Sequence, residues 1–212
     1  MIKLKLALLV FVSLLIAGCG SSPKVEVVNL NKVLDIMMST LDKMKKEKGD
    51  KKSADKATKE EKDKFMKEFN TLYAIELNKA KITSKPIGTV VNADGSITGY
   101  ADINKNKTKD FGETDLFKVE IDFDRSRLIA SDLQNGYRRD HGFSMGGFVA
   151  GMILGNMLSR QRGAGIGGKR FSNSKMSPKN YHSGAVSKAK SRAAAKSRAK
   201  SRSRSGSFSR GK

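Results

Sequence analysis

Phe117-Lys118-Val119-Glu120-Ile121-Asp122-Phe123 sets an apolar residue at every odd position and a charged one at every even position. Period-two alternation marks a strand with one face buried and one wet, because successive side chains of an extended chain point to opposite sides. Downstream, Asp124-Arg125-Ser126 turns the chain into a second short apolar run, Leu128-Ile129-Ala130. Upstream, Ile87 to Val91 leads into Asn92-Ala93-Asp94-Gly95, whose Asp-Gly pair is a hairpin signal, and Ile97 to Ala101 returns. Residues 87 to 132 therefore predict a small antiparallel sheet of about four strands.

Ahead of Pro86 the period changes. Leu30, Val33, Leu34, Met37, Met38, Leu41 and Met44 recur at steps of three and four, one face of an amphipathic helix. Lys43, Lys45, Lys46 and Lys48 gather in its last turn, where cations suit the helix dipole, and Gly49 is a natural stop. Residues 50–57 form a charged linker. Thr58-Lys59-Glu60-Glu61 then reads as a capping box, opening a second helix with Phe65, Phe69, Leu72, Tyr73 and Leu77 on one face, to about Asn78. The two stripes bury each other most simply as a helical hairpin, with the Met-rich face as a partner-binding surface the alternative. The fold class expected is α+β: this hairpin on the small antiparallel β-sheet, then a Gly-rich helix and a disordered basic tail.

Between the second and third strands lies Asp102-Ile-Asn104-Lys-Asn106-Lys-Thr108-Lys-Asp110-Phe-Gly-Glu113. Oxygen-bearing residues stand at positions 1, 3, 5, 7, 9 and 12 of twelve, the ligand spacing of an EF-hand calcium loop, in which alternate residues of a tight coil turn inward. The loop resembles an EF-hand and, more closely, the loops of dockerin modules and bacterial adhesin repeats. That resemblance implies Ca2+ held by side-chain oxygens of Asp102, Asn104 and Asn106, the backbone carbonyl of Thr108, Asp110 directly or through water, and a bidentate Glu113. It covers the loop only, since strand signals flank it. Lys107 occupies the sixth position, usually glycine, and Lys105, Lys107 and Lys109 surround the cation with positive charge. The expected affinity is weak, roughly 10⁻⁴ to 10⁻³ M as in extracellular modules.

The amino terminus carries a different message. Met1-Ile2-Lys3-Leu4-Lys5 is a positive n-region, Leu6 to Ile16 an apolar stretch, and Ile16-Ala17-Gly18-Cys19 a small-residue cleavage site ending in the chain's only cysteine. This is similar to the lipobox of bacterial lipoproteins. The similarity implies a signal peptide over 1–18, diacylation of Cys19, and anchoring in a membrane without a transmembrane helix. Gly20 and Ser21 do not match the Asp signal for inner-membrane retention, so a two-membrane cell would carry the protein on its outer membrane. No cysteine remains for a disulfide.

The formal net charge is +21, and after Asp140 there is no acidic residue. Gly147, Gly151 and Gly155 lie one helical turn apart in an apolar segment over 141–160, similar to the glycine-zipper segments of outer-membrane lipoproteins. Such a helix self-associates or enters the interface, or packs on the protein's own sheet. Gly163-Ala-Gly-Ile-Gly-Gly168-Lys169 matches a phosphate loop up to its lysine, but Arg170 stands where Ser or Thr must hold magnesium and no strand precedes it, so a flexible linker is preferred. From about Ser183 the chain repeats Ser, Ala, Lys and Arg, a composition that buries no core and reads as disordered.

The organisation expected is a signal peptide over 1–18, a tether over 19–29, an α+β domain over 30–140 containing the loop 102–113, a glycine-zipper helix over 141–160, and a Gly-rich linker with basic tail over 161–212. His141 and His182 are isolated, and no nucleophile stands beside a recognisable base, so no enzymatic role is expected. The function expected is that of an envelope lipoprotein with a structural or adaptor role, its tail touching anionic lipid, lipopolysaccharide or wall polymers. Nucleic-acid binding through the tail, and service as an accessory subunit of an envelope enzyme or transporter, are the alternatives.

Overall fold

The computed structural model describes residues 26–49, 57–144 and 147–204. The signal peptide, the lipobox with Cys19 and the tail beyond Arg204 lie outside the described residues. Helix α1 (Leu30–Lys48) starts where Asn29 accepts a hydrogen bond from the Lys32 N–H and ends at Gly49. Helix α2 (Lys59–Lys79) opens on the expected capping box: the Glu61 N–H donates to Thr58 at 3.2 Å and the Thr58 N–H to Glu61 at 2.9 Å. Leu30, Val33, Leu34, Met37, Leu41 and Met44 of α1 are buried with Met66, Phe69, Tyr73 and Leu77 of α2. The methionine stripe is core, with Met38 packed at its edge.

The sheet has five antiparallel strands in sequence order, β1 (Ile87–Val91), β2 (Ile97–Ala101), β3 (Asp115–Asp122), β4 (Arg127–Asp132) and β5 (Arg138–Gly142). The first hairpin turns on Gly95 at φ +74, as the Asp-Gly pair requires. Three expectations need correction. The charged face of β3 is not wet, since Glu120 and Asp122 are buried, Asp122 held by Arg127 at 2.8 Å and Glu120 by Arg170 at 3.2 Å. Phe123 does not continue the alternation, because it enters a 3-10 turn, Phe123–Arg125, and stands 40% exposed with the Arg162 guanidinium over its ring. The fifth strand, Arg-Arg-Asp-His-Gly, has no apolar period; it is an edge strand held by backbone pairing to β4 and by mutual Arg138–Ser177 backbone and side-chain hydrogen bonds.

The packed body continues past residue 140, where the sequence reading ended it. Helix α3 (Phe148–Gly163) buries Val149, Met152, Ile153, Leu154 and Met157 against α1, α2 and β3. The apolar face is thus turned onto the protein's own core, while a Cβ built on Gly155 would meet nothing within 4 Å. Gln161 of α3 is 1% exposed and bonds both polar groups of Ile121: its Oε1 accepts the N–H at 2.8 Å and its Nε2 donates to the carbonyl at 2.9 Å. Since β2 begins opposite Val119, Ile121 extends beyond it, and this amide serves as the missing strand. Among the described residues no helix is long and apolar enough to cross a membrane.

The Gly-rich segment and tail also differ from expectation. A short helix α4 (Lys169–Ser172) buries Phe171, and helix α5 runs from Tyr181 to Arg204. Alanine, lysine and arginine are strong helix formers even without an amphipathic pattern, and no glycine or proline follows Gly184 before Arg204. Tertiary contacts fix the first turns: Tyr181 and Ala185 are buried, and the Tyr181 hydroxyl donates to the Val28 carbonyl at 2.5 Å and accepts from the Leu30 N–H at 2.7 Å.

Candidate functional site

Loop 102–113 leaves β2 at Ala101 and rejoins the sheet at β3. Its neck is closed by the Ala101 N–H on the Thr114 carbonyl and the Asp102 N–H on the Pro86 carbonyl, both 2.9 Å. Asp102 is buried at this neck, one oxygen accepting the Asn106 N–H and the other the Lys107 N–H, each at 3.1 Å. Asn104 accepts from the Asn106 N–H at 3.2 Å, and Asn106 from the Thr108 N–H at 2.7 Å. These successive Asx turns coil the loop. Lys105 and Lys107 consequently stand in the left-handed region, at φ +61 and +62, with Gly112 at φ +90 near the exit.

The remaining carboxylates face the same coil. Asp110 Oδ2 receives the side-chain amides of Asn104 and Asn106, both at 2.7 Å. Glu113 reaches back across the loop, taking the Ile103 N–H at 2.9 Å and the Asp110 N–H at 3.0 Å. Asp102, Asn104, Asn106, Asp110 and Glu113 therefore belong to one network, which Thr108 joins through its N–H. The carboxylates are satisfied by N–H groups rather than drawn to a single point, and among the described residues no group of three or more His, Cys, Asp or Glu side chains is placed to hold a metal ion. Lys109 is turned outward onto Asp115 at 2.7 Å.

Beneath the loop lies Tyr100, a residue that sequence reasoning missed. It is fully buried and its hydroxyl has no hydrogen-bond partner. Burial first, and then the carboxylates of Asp102, Glu113 and Asp110, push its pKa up to about 12. The only sequence signal was its place two residues before Asp102. Its ring lies against Gly88, where a Cβ would stand 2.2 Å from Cζ, so glycine in β1 is what admits the tyrosine. Beside the loop, a groove of about 550 Å³ runs between α2 and β1, lined by Ile75, Asn78, Pro86, Asp102, Lys105 and Lys107. On the outer side, Ile103 is 58% exposed and Phe111 wholly so.

The other sequence candidates are placed elsewhere. His141 on β5 lies 3.9 Å from Asp35, and His182 contacts the Val27 carbonyl at 3.1 Å. Gly168, the last glycine of the phosphate-loop pattern, abuts the Asp124 carboxylate, a negative group where a phosphate would have to approach. No protein-family model, no curated protein and no solved structure matches this chain.

Proposed function

We propose that this chain is a lipid-anchored protein of a bacterial envelope, with a structural or adaptor role and no catalytic one, whose loop 102–113 takes calcium weakly. The observation that carries the calcium reading is the backbone at Lys107. A twelve-residue calcium loop needs a sharp left-handed turn at its sixth position, and lysine is held there at φ +62 although the conformation costs a non-glycine residue about 1–2 kcal/mol. Two charge-assisted N–H bonds to buried Asp102 offset that cost. Calcium would replace the Asn104 and Asn106 amide nitrogens on Asp110 and draw oxygens from Asp102, Asn104, Asn106, Asp110 and Glu113, with the Thr108 carbonyl as the sixth contributor. Lys105 and Lys107 oppose a dication, which keeps affinity low.

Thermal unfolding of the full chain in millimolar calcium and in chelator tests the site. Calcium at ten times its dissociation constant should stabilise the folded form by about 1.4 kcal/mol, and Glu113→Gln should remove most of that gain. A wild-type midpoint that ignores calcium eliminates the site; an equal response in Glu113→Gln eliminates this ligand.

The anchor rests on the Ile16-Ala17-Gly18-Cys19 lipobox. Wild type should incorporate labelled fatty acid and sediment with membranes, and Cys19→Ser should lose the label; an unlabelled wild type refutes it. A second reading, nucleic-acid binding, has one observation in its favour: helix α5 carries eight Lys and Arg residues and no acid.

A further inference from the structure

Helix α5 is fastened at its root to the segment that leads from the lipid anchor. Glu26 to Leu30 is the first described stretch after Cys19, and each of its residues is tied down. Val28 donates to Asp132 at 3.2 Å, Asn135 donates to the Glu26 carbonyl at 3.1 Å, and the Ser84 N–H donates to the Glu26 carboxylate. Tyr181 grips Val28 and Leu30 through its hydroxyl, and His182 lies on the Val27 carbonyl. Asn31, at the start of α1, donates to the Lys179 carbonyl at 2.8 Å and accepts from Arg139 at 2.8 Å. The stem and the first turn of α5 are thus one packed unit.

Distances then confine the helix. Seven peptide steps separate Cys19 from Glu26, which at 3.3–3.6 Å per residue reach about 25 Å at full extension. Helix α5 is 24 residues long, about 36 Å. From Lys190 to Ala195 every residue is exposed, so the helix has left the body by its third turn. Among the described residues no carboxylate pairs with Lys188, Lys190 or Arg192, and none exists on α5 itself. A cationic rod longer than the tether therefore begins where the tether ends.

We propose that α5 docks along the anionic phospholipid headgroups of the same bilayer that holds the acylated Cys19, as a second membrane contact. This rests on the lipoprotein reading. The two acyl chains of a lipobox cysteine already retain a protein on a bilayer, so the docked helix adds a surface contact beside the anchor rather than retention itself. The latch supplies a high effective concentration, because binding of the lipid delivers the helix to the surface without a further search. Each Lys or Arg brought to an anionic surface strengthens binding about fivefold. Lipid phosphate, rather than nucleic acid, is favoured by the short tether, which holds the rod's root near headgroups.

The test uses the full mature chain carrying Ser191→Cys, labelled with a fluorophore on that exposed turn and reconstituted into vesicles whose headgroups bear an energy acceptor. Intact mass first reports whether Cys19 is acylated; a chain without acyl mass overturns the lipoprotein reading and this inference with it. With acyl mass present, transfer should be strong in phosphatidylglycerol-containing vesicles, weak in pure phosphatidylcholine, and reduced by salt. In the Lys188→Gln/Lys190→Gln/Arg192→Gln background the docked-to-undocked ratio should fall roughly 100-fold at low salt. Equal transfer from neutral and anionic vesicles overturns the inference while leaving the lipid anchor standing. So does loss of transfer on adding an equimolar short DNA duplex at physiological salt, which would assign the helix to nucleic acid.

Discussion

Replacing Gln161 with methionine, which keeps length and volume but removes the amide, should be among the most damaging single changes outside the apolar core. The side chain is 1% exposed, and its two hydrogen bonds are the lateral partners of the Ile121 N–H and carbonyl. Water has no route to replace them, so each orphaned backbone group costs about 1–3 kcal/mol, and the pair about 2–5 kcal/mol allowing for relaxation. For a body of this size one kcal/mol moves the melting midpoint by about 2–4 °C, which makes the expected fall about 4–20 °C. The assay is thermal unfolding followed by circular dichroism, with Gln134→Met as control. Gln134 donates to the Asp115 carbonyl at 2.8 Å, but in the open, where water substitutes. If methionine at 161 costs no more than at 134, the account of that amide as a surrogate strand is wrong.

Glycine positions give opposite signs. Gly99→Ala sets a Cβ 2.2 Å from the buried Phe117 ring and should destabilise by about 1–3 kcal/mol, whereas Gly155→Ala meets open space on a helix and should gain about 0.5–1 kcal/mol by chemical denaturation. Equal effects would show that neither environment is as described. At Asp94 burial works to raise the carboxyl pKa, but bonds from Ser96 and Lys118 outweigh it and hold it below its ordinary 3.8. Its stabilisation is therefore present above the unfolded value and lost as pH falls through the lower folded one. Asp94→Asn should flatten the decline in midpoint below about pH 4; an unchanged acid profile refutes the assignment.

The parts of the fold that were readable from sequence are those whose stability is written locally. The methionine stripe of α1, the Thr58–Glu61 box of α2 and the alternation of β3 each announce themselves within a few residues. Strand β5 does not, because its residues satisfy backbone pairing and ion pairs rather than a buried face: Asp140 bonds Arg127, which also holds fully buried Asp122. The helical conformation of α5 was hidden by the same polarity that made its composition look disordered, while the residue that fastens it, Tyr181, acts on partners some 150 positions away. At the loop, spacing identified five side chains that do share a network. It could not show that backbone N–H groups, through Asx turns, occupy the carboxylates, nor that Tyr100 lies unpartnered beneath them.

The latch between stem and α5 also orders events during folding. Every strand of the sheet is paired with its neighbour in sequence, so loop closures there are short and cheap in chain entropy, and the meander needs only residues 87 to 142. The Val28–Tyr181 bond instead spans 153 residues. Val28 and Leu30 are wholly buried in a body that includes Tyr181, so a chain emerging amino terminus first carries this stem unsealed until Tyr181 is delivered. The first part of the packed body to emerge is the last to be closed.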